Sequence, residues 1–342
     1  MHTCRVVIAG AALLISAAAS AGLHLDGSLE INYIYDQGPT EYGDKLRHGS
    51  WDVGLTVNAH GETQLGSLGQ GEFRIAQKGT QNDRRPGIGS REAWLGLSGG
   101  WGGLRAGRQF LNSYLVLDWP YGQGGFWELA ERDLGNWAGG GKATANVRMA
   151  QSLNYLSPQH GAWRYAVQYG WSAKANQGAQ NDGAVVDLSA EYKRGDLVLN
   201  SGLLGARGLN NFDGATQSDD RDRQFYLGAL YPVAPGLMLR GLVTAYRHRS
   251  SAGDVARGSD WLCGMSYTLD KHVVKLAWLH RADQASALTA QKDFDLVKAE
   301  YGYQITPTVL AYLRLSQKRW GGDSIGASQD YRQILTGVWT SF

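Results

Sequence analysis

The side chains in this 342-residue chain that could do chemistry are charged rather than nucleophilic. Alternation along its segments sets Arg74, Arg105, Arg148, Arg164, Arg240 and Arg314 on polar faces. The longest connection, residues 110–145 by the segment spacing, carries Asp118, Glu128, Glu131 and Asp133, with Arg132 among them. Guanidinium and carboxylate groups can build an electric field and hold counter-ions. Making or breaking bonds needs more, namely a nucleophile beside a base. The histidines after residue 21 are His24, His48, His60, His160, His248, His272 and His280, and none lies in a catalytic or metal-binding motif. The chain is therefore not expected to be an enzyme, and no cofactor or metal is expected. Its formal net charge of +2 argues against a nucleic-acid partner.

The elements that must carry these charges read as strands. In Leu23–Tyr35 the odd positions, Leu23, Leu25, Gly27, Leu29, Ile31, Tyr33 and Tyr35, form an apolar face. The even ones, from His24 to Ile34, are almost wholly polar. Trp163, Tyr165, Val167, Tyr169 and Trp171 repeat the pattern against Arg164, Gln168 and Ser172. Sixteen such segments can be counted, beginning at residues 23, 50, 70, 90, 103, 147, 162, 184, 196, 223, 236, 259, 272, 292, 308 and 330. Asp196–Ala206 is ambiguous, with leucines on both faces. All seven prolines fall in connections or at their edges, as residues that cannot donate to a ladder should.

Short connections such as KRGD and PVAPG alternate with longer polar ones. That asymmetry predicts an all-β, sixteen-stranded antiparallel transmembrane barrel with short periplasmic turns and long extracellular loops. The eight residues from Trp163 to Trp171 cover about 26 Å of strand. Tilted, they span roughly the apolar band, so the two Trp would mark its two edges. A soluble sandwich with so many outward aromatics would expose too much apolar surface. Ahead of the strands, Arg5, the run VVIAGAALLISAA and Ala19-Ser20-Ala21 read as a secretory signal peptide, residues 1–21. Residues 22–342 are then the barrel domain, with Cys263 as its single cysteine.

Three stretches carry a family resemblance. REAWLGLSGGWGGLRAGRQF matches through Arg91, Ala93, Gly96, Leu97, Gly102, Gly107, Arg108 and Gln109. VRMAQSLNYLSPQHGAWRYAVQYG matches through Arg148, Ser152, Tyr155, Ser157, Pro158, Gly161, Gln168 and Tyr169. AEYGYQITPTVLAYLRLS and the final Phe342 match the C-terminal part. Together they resemble the trimeric general diffusion porins of Gram-negative bacteria.

The resemblance implies a homotrimer in outer-membrane lipid, with a water-filled pore in each subunit for ions and small hydrophilic solutes. It implies that the third long loop folds inward and sets Asp118, Glu128, Glu131 and Asp133 against wall arginines: Arg74, Arg105, Arg108 and Arg148. Such a pair of walls makes a transverse field across the gap. Arg108 shares parity with Leu104 and Ala106, so it reaches the pore only where a bulge breaks the alternation or the strand has ended. Phe342 is implied to be the signal read by the barrel-assembly machinery. Three other readings stay open: a channel that prefers sugars or oligosaccharides, an outer-membrane hydrolase, and a non-conducting adhesin-type barrel.

Overall fold

A computed structural model describes residues 22–39, 45–80, 89, 91–117, 120–121, 148–172, 183–208, 221–249, 253, 255–284, 293–321 and 330–342. Sixteen antiparallel strands among them close into one barrel. They are β1 (His24–Pro39), β2 (Lys45–Gln64), β3 (Gln70–Thr80), β4 (Glu92–Gly99), β5 (Gly102–Phe110) and β6 (Arg148–Leu156). Then come β7 (Trp163–Ser172), β8 (Gly183–Arg194), β9 (Leu197–Arg207), β10 (Arg221–Ala234) and β11 (Leu237–Arg249). The last five are β12 (Val255–Leu269), β13 (His272–Gln284), β14 (Phe294–Thr306), β15 (Val309–Trp320) and β16 (Asp330–Ser341). The proposed signal peptide, residues 1–21, lies outside the described residues.

Each strand shows water and lipid two different faces. On β7 the outward Trp163, Tyr165, Val167 and Tyr169 are exposed, while Ala166, Gln168 and Gly170 between them are buried. Outward apolar residues continue around the wall, through Leu227 and Leu203 to Val297 and Leu315. In water this surface would be costly; in hydrocarbon it is matched. Outward aromatics gather at two heights. Trp163, Tyr231, Tyr267, Tyr301 and Tyr303 lie toward the short-turn end, and Tyr33, Trp51, Trp171, Trp261 and Trp278 toward the long-loop end. These are the aromatic girdles of a bilayer-spanning barrel.

The seam between first and last strands is locked along ten register pairs, from Ser28↔Ser341 to Gln37↔Arg332. One step further, Phe342 and Gly27 exchange two backbone hydrogen bonds of 3.0 and 3.1 Å. Inside the barrel, Tyr312 Oη donates to Asn32 Oδ1 at 2.6 Å, reaching from β15 to β1 across β16. Gly337 permits this crossing, because a Cβ there would sit 2.1 Å from Asn32 Oδ1.

Proline placement needs one correction. Pro232 was expected at a turn but lies within β10. The β10–β11 register shifts between Pro232 and Ala234, so the ladder tolerates its missing donor. Two strands begin four or five residues earlier than alternation suggested, β2 at Lys45 and β12 at Val255.

Candidate functional site: the inner wall and the third loop

After Phe110 the chain turns inward. A single helical turn, α1 (Asn112–Val116), packs against β7, β8 and β9. It is hydrogen-bonded to inward-facing side chains on three adjacent strands, and the chain beyond it to a fourth. The Asn112 and Asn154 side chains exchange amide hydrogen bonds of 3.0 and 2.9 Å. The Asn112 backbone N–H donates to Gln168 Oε1 at 3.2 Å. The Ser113 N–H and hydroxyl both donate to Asp187 Oδ2 at 2.8 Å. Farther along, Tyr121 Oη donates to Asn200 Oδ1 at 3.0 Å. Burial pushes the Tyr121 phenol above its usual range, against the pull of the nearby Arg240 guanidinium. Tyr121 therefore stays a neutral donor.

Apolar packing reinforces these bonds. Phe110, Leu111, Tyr114, Leu117 and Tyr121 are buried with Met149, Val185, Leu204 and Tyr226 of the wall. This explains the ambiguous leucines of β9. Leu203 points to lipid, while Leu204 points inward and is covered from the lumen side. The three described aromatics of this segment, Phe110, Tyr114 and Tyr121, anchor the chain to the wall rather than line open water.

The wall arginines keep company with acids of their own sheet. Arg74 Nε lies 3.0 Å from Glu92 Oε2, and Arg105 Nη2 lies 3.3 Å from Glu72 Oε2. Between them stands Trp94, which donates to Glu92 and carries the Arg105 guanidinium 4.4 Å above its ring. Arg74 and Arg105 remain about a third exposed, so their charge still reaches the lumen. Arg105 also shares a cross-strand row with Asn154, Gln168 and Asp187, the residues that hold the third loop.

Arg108 lies beside an irregularity, yet against β4 it stays in the row of the outward-facing Ala93 and Ile75. The β5–β6 register shifts between Gly107 and Gln109, and Gly107 takes a φ of +132°. Arg108 is half-buried and stands opposite Ala93 of β4. Arg148 opens β6 opposite Phe110, and its side chain lies outside the described residues. So do Asp118, Glu128, Glu131 and Asp133, together with the FWELAERDL stretch that reads as helical.

Alternation missed the pinning residues Asn154, Gln168, Asp187 and Asn200, because a polar inward residue looks the same whether it meets water or a loop. On the opposite wall it found Arg314 but not its setting. Arg314 Nε donates to Glu300 Oε2 at 2.9 Å, and Lys275 Nζ lies 2.8 Å from Glu300 Oε1. Six residues further along β13, toward the long-loop end, lies a second buried group, in which Arg281 and Thr244 both donate to Asp260. Among the described histidines, His248 Nδ1 lies 2.7 Å from Asp222 and His280 Nδ1 lies 3.0 Å from Asp295. Among the described residues no three His, Cys, Asp or Glu converge as a metal site would require.

Comparison with known proteins agrees with this architecture. A chitoporin of Vibrio furnissii is 29% identical over 114 residues, which are 33% of this chain and 29% of that protein. The match thus spans less than a third of that relative. An anion-selective porin from Comamonas acidovorans superposes with a TM-score of 0.74 at 18% identity, covering 94% of this chain and 100% of that one. The trimer form of OmpT, an outer membrane protein of Vibrio cholerae, gives 0.67 at 13% identity, over 94% and 99% of the two chains. These likenesses show the shared fold. Residues 6–322 match the Gram-negative porin family. With a closed sixteen-strand barrel and that match over most of its length, the chain belongs to the Gram-negative porin family.

Proposed function

We propose that the chain forms a water-filled channel for passive diffusion of ions and small hydrophilic solutes across the outer membrane, and that it works as a homotrimer. One observation carries the reading: sixteen strands enclose a lumen too wide for side chains to fill, and the only described connection fixed inside it runs along one wall. Purified protein in planar bilayers should show single-channel conductance. A silent protein would favour the adhesin-type reading.

The constriction forms where the third loop meets the wall. In this reading Asp118, Glu128, Glu131 and Asp133 face Arg74, Arg105 and Arg148. Support comes from Arg105, which lies in the same row as the loop's anchors. In a salt gradient, Arg105→Gln and Arg148→Gln should move the reversal potential toward cation preference, and Glu131→Gln toward anion preference. Unchanged potentials in all three would put the constriction elsewhere.

A preference for sugars is the second reading. It is favoured by the chitoporin match and by Trp94, a half-exposed lumen aromatic beside Arg105. Liposome swelling separates the two readings: equal entry of sugars and of similarly sized non-sugars leaves only the general channel.

Phe342 also has a proposed role, as part of the signal for barrel assembly. Its two bonds to Gly27 are worth about 1–3 kcal/mol together. Deleting Phe342 should lower the yield of heat-modifiable barrel in the outer membrane far more than this loss alone explains. Conductance of the barrels that do assemble should stay normal.

A further inference from the structure

The inner wall of β3, β4 and β5 carries a group that passive diffusion does not require. At its centre Trp94 points inward from β4, between the outward Ala93 and Leu95. Its indole N–H donates to Glu92 Oε1 at 3.2 Å, and the Arg105 guanidinium lies 4.4 Å above its ring. The ring is thus held at its edge and on one face, yet it remains half-exposed.

Two inward glycines leave room around it. Gly107 is its cross-strand neighbour on β5, and Gly96 is the next inward position on β4. A Cβ on Gly107 would lie 2.8 Å from Trp94 Cα. One on Gly96 would lie 3.4 Å from the indole Cζ3 and 3.1 Å from Arg105 Cγ. The indole and the Arg105 stem therefore lie over bare backbone, and no side chain rises beside the ring from β5.

Two ion pairs flank the ring. Toward the long-loop end, Arg74 Nε lies 3.0 Å from Glu92 Oε2. Toward the short-turn end, Glu72 accepts from Arg105 Nη2 at 3.3 Å and from Ser98 Oγ at 2.6 Å. Two arginines are matched by two carboxylates, so the patch shows both signs and has no net charge to offer an ion. From Glu92 to Ser98 it covers about 20 Å of strand. Arg105 lies level with Asn154 and Gln168, which hold the third loop, so a solute passing the loop's anchor passes the patch as well.

A hydroxyl group both donates and accepts. Neighbouring hydroxyls are therefore met by an arginine N–H and a carboxylate oxygen set side by side, and such charge-assisted bonds are the strong kind. An aromatic surface with a few oriented polar groups is the usual make-up of a small-molecule site. We propose that Trp94 and the Arg74–Glu92 and Arg105–Glu72 pairs form a subsite for neutral hexopyranose rings, with the indole under a ring's C–H face and the ion pairs on its adjacent hydroxyls. This rests on the sugar-preferring reading and adds that the preferred sugar is uncharged.

Purified channels in a planar bilayer, with maltotriose added and the block of ionic current followed, test this. Each variant's block is scaled to its own open-channel current, so a change of conductance alone does not count. The wild type should show a saturable block. Trp94→Ala should weaken it at least about tenfold, and Trp94→Phe should keep most of it. Arg74→Met should weaken it about tenfold, through the loss of bonds from a charged donor. Trigalacturonate, a trimer with a carboxylate on each ring, should block more weakly than maltotriose. A polyethylene glycol of matched mass, which lacks ring hydroxyls, should show no saturable block. If maltotriose blocks Trp94→Ala and Arg74→Met as it blocks the wild type, the subsite is overturned while a sugar preference stands. Tighter block by trigalacturonate, or equal block by the glycol, also overturns the proposal. So does a conducting wild type that maltotriose leaves unblocked, and liposome swelling then shows separately whether the sugar reading survives.

Discussion

Replacing Asp187 by Ala should loosen the start of the third loop and raise single-channel conductance, with frequent current fluctuations. Asp187 is fully buried and receives both the N–H and the hydroxyl of Ser113. Without that acceptor, two donors lose their partner in a dry site, at about 1–3 kcal/mol each. The loop must then give up the packing of Phe110, Leu111 and Tyr114 or keep unsatisfied donors. Asp187→Asn retains an acceptor oxygen and should keep most of the wild-type conductance. Planar-bilayer recordings of the two variants decide the matter. Wild-type conductance and noise in Asp187→Ala would mean that the neighbouring amide pair, Asn112 with Asn154, holds the loop unaided.

Glu300→Ala should be the most destabilising single change to the barrel wall. Glu300 accepts from Arg314 and Lys275, and Arg314 is only 2% exposed. Removing the carboxylate strands two cations inside the wall, at about 3–5 kcal/mol. A well-packed replacement of all three partners behaves differently. Glu300→Leu combined with Arg314→Met and Lys275→Met should recover most of that loss, because buried ion pairs repay little beyond their own desolvation. Urea unfolding followed by loss of heat-modifiability measures both variants. Equal stability of Glu300→Ala and wild type would show that water reaches this cluster freely.

Most of the barrel is written in the alternation of side chains, because one face of every strand meets hydrocarbon and the other does not. Trp163 to Trp171 is as clear in the chain as in space. Alternation failed where that contrast disappears. β2 and β12 extend past the bilayer, where Lys45 and Val255 no longer answer to lipid on one side. β9 faces lipid outside and a packed loop inside, so Leu203 and Leu204 are both apolar for different reasons. The wall charges Arg74, Arg105 and Arg314 could be found from parity alone. Their partners could not, since Glu92, Glu72 and Glu300 come from other strands and only the register brings them together. The anchoring of α1 was hidden for the same reason: Asn154, Gln168 and Asp187 are scattered along the chain and meet only in one cross-strand row.

The seam described above has a consequence for how the barrel comes into being. Fifteen of its sixteen strand pairings join neighbours in the chain, and each can form as a hairpin. The sixteenth brings Ser28 to Ser341. Closing a loop of that length costs about 5 kcal/mol of chain entropy if the intervening chain is loose. If the hairpins have already zipped, the remaining search is only the approach of two curved edges. Assembly should therefore proceed as a growing open sheet that closes last. Its slow step would be sealed from within by the Tyr312–Asn32 bond and from the end by Phe342 on Gly27. Until that moment both edges lie bare, and the unfinished barrel is most open to pairing with the wrong strand.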